Sequence, residues 1–320
     1  MKCLVTGVAG FIGSHLAERL VKDGYNVTGI DCFTRYYSRK IKEKNIKNLL
    51  RRNNFKFIKG NLIEMNLDKV IKGVNYVFHQ AAQAGIRGSW GNNFKIYTNY
   101  DVLATQKLLE ATIKEPRIKK FLYASSSSIY GDVEEYPVKE TALPKPLSPY
   151  GVAKLAGEHL TYLYWKNHGI PIISLRYFTV YGPRQRPDMA FYKIIKANML
   201  NKTFPIYGSG EQKRDFTYID DIINANILAM NSKYVNQIFN IGGGTNITLN
   251  VAIKIIEGVL NKKTKVRIYS KQKGDVKQTL ADISKAKRLL RYIPIVKIDD
   301  GLEKEIAWFW DNKDKLLINT

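Results

Sequence analysis

Lys2-Cys3-Leu4-Val5-Thr6 is a short apolar run with the β-branching of a buried parallel strand, and Gly7-Val8-Ala9-Gly10-Phe11-Ile12-Gly13 follows it directly. Ile12, Leu16, Ala17, Leu20 and Val21 then recur at helical spacing. Strand, glycine turn and helix in that order leave few folds open. In such a unit the first glycine permits a tight turn, the second lets the backbone approach a pyrophosphate, and the third lets helix and strand pack closely. The helix N-terminus adds free amides and the positive end of its dipole. The glycines are spaced three and three, not the commoner two and three, and a glycine triplet alone is equally an ordinary turn.

Context decides between these readings. Residues 26–31, Asn-Val-Thr-Gly-Ile-Asp, make a second strand that ends in Asp31. An acid there accepts both ribose hydroxyls of NAD and repels the 2′-phosphate of NADP. Arg35, Arg39 and Lys40 follow closely, and with Asp31 in place they read as a solvated basic face. NAD is the expected cofactor.

Strand patterns continue at Phe55–Lys59, Tyr76–His79, Lys120–Ala124 and Pro171–Arg176, with the clearest helices at Asn99–Ile113 and Pro149–His168. Ser148 followed by Pro149 is a helix start, a hydroxyl cap and then a residue whose missing donor costs nothing there. The alternation predicts an α/β Rossmann fold with a doubly wound parallel sheet. After Arg176 the texture turns irregular, through Gly182-Pro183-Arg184-Gln185-Arg186-Pro187 and Pro205–Gly210. Helices are expected at 189–201, from about Asp220, at 249–260, 284–290 and 301–312, and strands at Gln237–Ile241 and 266–269. The predicted division is a dinucleotide domain of residues 1–176 plus about 211–244, and a smaller, discontinuous α/β substrate lobe of about 177–210 plus 245–320. The substrate belongs in the cleft between them, beyond the carboxyl ends of the strands.

Composition sets the outer bounds. A chain of 320 residues with 45% apolar content is ample for a large core. No run approaches the roughly 18 apolar residues that a membrane helix needs. The first residues read as strand, not as a cleavable leader, and Cys3 and Cys32 read as reduced thiols without metal-ligand spacing. A cytoplasmic protein without a metal is expected. The net charge of +23, from 51 basic and 28 acidic residues, attracts polyanions in general. The lysines are spread along the whole chain without a dense block, so nucleic-acid binding is not expected.

The chemistry sits in Ser125-Ser126-Ser127-Ser128, Tyr150 and Lys154. Ser126 lies at the carboxyl edge of the fifth strand, Tyr150 begins the next helix, and Lys154 stands one turn on along the same face. A free phenol has a pKa of about 10 and is a poor base at neutral pH. A nearby ammonium and a positive nicotinamide ring favour phenolate and pull that value toward the working range. Ser126 would hydrogen-bond the substrate oxygen, and Lys154 would hold the nicotinamide ribose. A Tyr-x-x-x-Lys spacing is common on helices for purely structural reasons. The serine run and the glycine turn give it weight here.

Thr6-Gly7-Val8-Ala9-Gly10-Phe11-Ile12-Gly13-Ser14-His15, Ser125–Gly131, Tyr150 with Lys154, and Arg176-Tyr177-Phe178-Thr179-Val180-Tyr181-Gly182-Pro183 resemble the extended short-chain dehydrogenase/reductases. Within them the chain is similar to NAD-dependent nucleotide-sugar epimerases and dehydratases, from residue 1 to about residue 310, including Arg214-Asp215-Phe216 and Gly274-Asp275-Val276. The resemblance implies a tightly held NAD and a UDP- or dTDP-sugar. It implies cofactor contacts at Gly7, Gly10, Phe11, Ile12, Gly13, Asp31, Asn61, Leu62, Gln80, Ala81, Ala82, Gln83, Asn99, Tyr150, Lys154 and Tyr177. Substrate contacts are implied at Arg87, Ser126, Ser127, Ser128, Thr179, Arg214 and Asp275, with Arg214 on the diphosphate and Asp275 on the uridine ribose. A salt bridge from Arg214 to Asp215 is the competing role for that arginine.

Two departures stand out. Asn61 occupies a place where the family commonly has aspartate toward the adenine amino group. Gln272 and Lys273 precede Gly274 where an arginine is common, which could shift the diphosphate grip to Lys273 or Lys271.

The 4,6-dehydratases carry an Asp-Glu pair where this chain has Ser127 and Ser128, so dehydration is not expected. Epimerisation at carbon 4, through a 4-keto sugar re-reduced on its opposite face, needs no such pair. Arg186-Pro187-Asp188-Met189-Ala190 and Gln80-Ala81-Ala82-Gln83-Ala84-Gly85-Ile86-Arg87 look more like UDP-glucuronate 4-epimerases, and three hydroxyls suit a carboxylate at carbon 6. The same hydroxyls serve a neutral hydroxymethyl group, which leaves a UDP-glucose/UDP-galactose or N-acetylhexosamine 4-epimerase open. A UDP-glucuronate decarboxylase and a non-catalytic NAD-binding protein with a basic docking surface also remain open. Helix 99–113 and the helix from 149 resemble the pair that forms a dimer interface in this family, so a homodimer is expected.

Overall fold

The computed structural model describes residues 1–313; residues 314–320, the end of the expected substrate lobe, lie outside the described residues. The strands are β1 (Lys2–Thr6), β2 (Asn26–Asp31), β3 (Phe55–Lys59), β4 (Tyr76–His79), β5 (Lys120–Ser126), β6 (Ile172–Tyr177), β7 (Thr179–Tyr181), β8 (Phe204–Tyr207), β9 (Lys213–Tyr218), β10 (Gln237–Ile241), β11 (Asn246–Thr248) and β12 (Val266–Tyr269). The helices are α1 (Phe11–Lys22), α2 (Arg39–Ile46), α3 (Leu67–Ile71), α4 (Phe94–Tyr97), α5 (Ala104–Ile113), α6 (Pro149–His168), α7 (Ala190–Met199), α8 (Ile219–Asn231), α9 (Leu249–Leu260), α10 (Ser284–Leu290) and α11 (Ile298–Asp311).

Seven parallel strands form the main sheet in the order β10-β6-β5-β4-β1-β2-β3. Strand β1 pairs with β2, Thr6 opposite Ile30, and on its other edge with β4, Thr6 opposite His79. Chain order reverses there, which opens a crevice at the carboxyl ends of the strands. Successive side chains of a strand face opposite layers. Thus Cys3 and Val5 join the core that includes Leu16 and Phe239, while Leu4 joins Leu108 and Phe121 on the other side. Each such fully buried aliphatic side chain contributes about 1.5–3 kcal/mol.

The glycine turn has a steric cause. Gly7 has φ 68°, and a Cβ there would meet Ala81 N and Cα at 2.8 Å. A Cβ at Gly13 would collide with the Gly7 carbonyl oxygen. Helix α6 starts where its cap chemistry predicts, with Ser148 Oγ accepting from Gly151 N at 3.1 Å. It ends at Gly169, in the left-handed region with φ 69°.

Outside the main sheet, β11-β9-β7 form a three-stranded sheet and β12 pairs in parallel with β8. Strand β10 joins the seven-stranded sheet beside β6, whereas β9 pairs with β7 and β11. Lys213–Tyr218 therefore belongs to the small sheet, although the sequence division counted it with the dinucleotide domain. Partner choice between distant strands leaves no mark in a local hydrophobic pattern. The helix expected at 99–113 is also interrupted. Thr98–Leu103 is a π-helical stretch between α4 and α5. Among the described residues no helix is long and apolar enough to cross a membrane, and no group of three or more side chains is arranged to hold a metal ion.

Candidate active site

Gly7, Gly10, Phe11, Ile12, Gly13, Asp31, Asn61, Leu62, Gln80, Ala81, Ala82, Gln83, Tyr150, Lys154 and Tyr177 line one cleft at the β1/β4 crevice. Asn99 does not line it, and that wall comes from Tyr100 and Ala104 instead. A π turn holds more residues than an α turn, so it rotates the face that a uniform helix would present. Helix α1 has no side-chain cap and no acid in its first turn, which leaves its N-terminal amides and dipole for an anion. The close backbone approach at Gly7 and Gly13 leaves the floor of the cradle bare of side chains. These features fit a dinucleotide pyrophosphate.

Asp31 is fixed before any ligand arrives. Its Oδ2 accepts from Ala9 N at 3.0 Å and its Oδ1 from Phe33 N at 2.7 Å. Burial raises its pKa, while those two amides and the Lys42 ammonium oppose the rise. Each carboxylate oxygen keeps acceptor capacity for a ribose hydroxyl. Asn61 accepts from Ile63 N at 3.2 Å through Oδ1 and donates to Glu64 Oε1 at 2.9 Å, so its amide is partly committed to its own loop.

Ser126 closes β5, and its Oγ accepts from Ser128 N at 3.1 Å. The same hydroxyl lies beside the Tyr150 phenol and lowers its pKa. Lys154, one turn along α6, donates from Nζ to Ala124 O at 2.9 Å and lies over the Tyr123 ring at 5.3 Å. Enclosure pushes the Tyr150 phenol up to about 12, the Asp101 carboxylate adds to the rise, and the Ser126 hydroxyl and Arg186 only partly oppose it. Lys154 itself is lowered by burial and held up by Asp101 and Glu158.

Ser127, Ser128, Thr179, Arg214 and Asp275 line a neighbouring pocket with Ile86, Ser148 and Gly274. Arg87 does not line it. It reaches the rim instead, where Nη2 donates to Asp275 Oδ2 at 2.9 Å and the guanidinium lies over the Tyr207 ring at 4.4 Å. Arg214 makes no salt bridge with Asp215. Its Nη2 donates to Val276 O at 2.8 Å, while Asp215 turns inward to accept from Gly243 N at 2.7 Å and Ala281 N at 3.0 Å. Lys271 and Lys273 line neither pocket.

Sequence reasoning left several cleft residues without a role. Arg186 lines the cofactor cleft, with Nε and Nη2 donating to Asp188 Oδ1 and Oδ2 at 2.9 and 3.0 Å. Tyr36 donates to the same carboxylate at 3.1 Å, and Tyr37 lines the cleft beside it. The available signal was an Arg-Pro-Asp run in an irregular segment directly after the core strands, where loops carry function. Asp101 and Tyr97, whose ring meets that of Tyr150 edge-on at 6.1 Å, gave no signal because their burial depends on distant elements.

The sequence matches the GDP-mannose 4,6 dehydratase family over residues 4–305. It is 46% identical over 310 residues to an uncharacterized UDP-glucose epimerase, YtcB, of Bacillus subtilis (strain 168), covering 96% of this chain and 98% of that one. It is 40% identical over 313 residues to the UDP-glucuronate 4-epimerase of Thermodesulfobacterium geofontis (strain OPF15), covering 97% and 96%. Among solved structures, UDP-glucuronic acid 4-epimerase from Bacillus cereus, in complex with UDP-glucuronic acid and NAD, matches with a TM-score of 0.95 at 44% identity, covering 97% of this chain and 99% of that one. With a match of that extent over this parallel sheet and glycine turn, the chain belongs to the GDP-mannose 4,6 dehydratase family, within the extended short-chain dehydrogenase/reductases.

Proposed function

We propose that the protein is an NAD-dependent UDP-glucuronate 4-epimerase, interconverting UDP-glucuronate and UDP-galacturonate. The observation that carries this reading is Tyr150 in the dinucleotide cleft, with the Ser126 hydroxyl beside its phenol and with Ser127, Ser128 and Thr179 lining the neighbouring pocket. Relatives named UDP-glucuronate 4-epimerase, one of them with NAD and UDP-glucuronic acid bound, support the cofactor and the sugar. The glycine turn and Asp31 would hold NAD, which would supply reversible hydride acceptance at carbon 4 of the sugar.

The chain's own residues do the rest. Tyr150 accepts the proton of the 4-hydroxyl during oxidation and gives it back during reduction. Ser126 orients the same oxygen through its hydroxyl. Lys154 supplies the positive charge that favours a phenolate and reaches toward the nicotinamide ribose. Ser127, Ser128 and Thr179 donate to the carboxylate at carbon 6, and neither serine can act as the acid or base that elimination needs. Arg214 and the Arg87–Asp275 pair grip the diphosphate and the uridine. The two lobes divide near Tyr177, with β9 in the small sheet.

Two coarser features complete the reading. Val152, Tyr162 and Leu163 of α6 are 46%, 54% and 50% exposed, and Leu103 and Ile113 on the neighbouring segment are 40% and 37% exposed. Such an apolar face suits a homodimer. Both cysteines are free thiols, in keeping with a cytoplasmic protein.

The test is purified protein incubated with UDP-glucuronate and no added NAD, with products resolved by proton NMR. UDP-galacturonate is expected. A UDP-pentose with carbon dioxide would assign a decarboxylase, and turnover of UDP-glucose alone would assign a hexose epimerase.

A further inference from the structure

Asp101 lies in the π-helical stretch between α4 and α5, at a kind of irregularity that recurs at functional sites. It is 1% exposed. Its Oδ1 accepts from Gln83 N at 2.5 Å, while Oδ2 has no hydrogen-bond partner among the described residues. A carboxylate buried in this way is costly unless a nearby charge compensates it. The compensating charge is Lys154, the ammonium of the proposed active site.

The surroundings leave little choice of partner. From α6, Lys154 and Tyr150 both feel the Asp101 charge, as do Tyr123 of β5 and Tyr97 of α4. His79 of β4 is held uncharged by burial and by Lys154, and touches this segment through Thr105. Glu158 is the other anion near Lys154, but both its oxygens are taken by Arg176, at 2.9 and 2.8 Å. Asp101, whose Oδ2 has no hydrogen-bond partner among the described residues, is thus the anion acting on Lys154 that no cation already holds.

We propose that Asp101 is the counter-ion of Lys154 and a positioning residue for the Tyr150 phenol. Its carboxylate keeps the ammonium charged inside the cleft and opposes ionisation of the phenol. The proposal rests on the reading of Tyr150 as the proton-transferring group. It makes the site's working pH a property of three coupled groups, the phenol, the ammonium and this carboxylate. Removing the negative charge eases formation of the phenolate and equally eases loss of the lysine proton. Both limbs of the pH–rate profile then move in the same direction.

The test compares the wild-type holoenzyme with Asp101→Asn, which retains an acceptor for Gln83 N. The pH dependence of kcat/KM for UDP-glucuronate is measured, together with bound NAD and the phenolate absorbance of Tyr150, taken by difference from Tyr150→Phe. The whole bell is expected to slide to lower pH by about one unit, with the phenolate titration moving alongside it and NAD content unchanged. A uniform drop in rate without a slide would reduce Asp101 to a structural role and overturn the proposal. Asp101→Ser, also neutral, carries the same expectation if the asparagine variant does not fold. Failure of both to fold would make the charge an element of the fold and would equally overturn it. Full turnover by Tyr150→Phe would sink the epimerase reading itself, whatever Asp101 does.

Discussion

Arg176 holds Glu158 with two hydrogen bonds, Nε to Oε1 at 2.9 Å and Nη2 to Oε2 at 2.8 Å, and both side chains are 4% exposed. Ser125 Oγ donates to the same carboxylate at 2.5 Å, one residue before Ser126. The pair therefore ties β6 and α6 to the end of β5 directly behind the site. Glu158→Ala leaves a buried guanidinium without its partner, which costs about 3–5 kcal/mol. Urea unfolding of the variant is expected to show that loss. An unchanged midpoint would mean that the pair contributes nothing.

Asp31 accepts from two backbone amides and is the residue proposed to hold the ribose of NAD. Asp31→Ala is expected to weaken NAD binding by about tenfold to a hundredfold, the size of hydrogen bonds to a charged acceptor. UDP-sugar affinity should hardly move. Calorimetric titration of both ligands checks this, and an equal loss of both would refute a ribose role.

A further expectation concerns stability against pH. Burial raises the Asp101 carboxyl from 3.8 to about 7, so between those values the folded protein holds a proton that the unfolded chain has released. Its contribution to unfolding free energy is therefore present at acid pH and is lost as pH rises toward about 7. The stability of Asp101→Asn minus that of wild type should rise with pH across that window and stay constant outside it. Denaturant melts at several pH values provide the check, and a difference that ignores pH would contradict the assignment.

The exposed apolar face of α6 yields a separate expectation. Leu163→Glu places a charge in the proposed dimer contact, and sedimentation should show a shift from dimer to monomer. A dimer that persists unchanged would locate the contact elsewhere.

Much of this architecture was readable in the chain because its cues are local. The run Lys2–Thr6, the glycines at 7, 10 and 13, and the Ser148-Pro149 helix start each act within a few residues, and the elements form where they point. The misplaced features depend on contacts made across the fold. Strand β9 pairs with β7 and β11, a choice made by surfaces far apart in sequence. The π turn displaced Asn99 from the cleft wall, since hydrophobic periodicity does not register one extra residue in a turn. The enclosure and the Asp101 charge that raise the Tyr150 phenol come from other segments, which the residues around Tyr150 do not reveal.

The most direct test of the account uses UDP-glucuronate carrying deuterium at carbon 4, incubated in ordinary water with the purified protein and no added NAD. UDP-galacturonate that retains deuterium at carbon 4 is expected, because the hydrogen removed in the oxidation is the one returned. UDP-galacturonate with solvent hydrogen at that carbon, or no epimer from a protein shown to hold NAD, would contradict it.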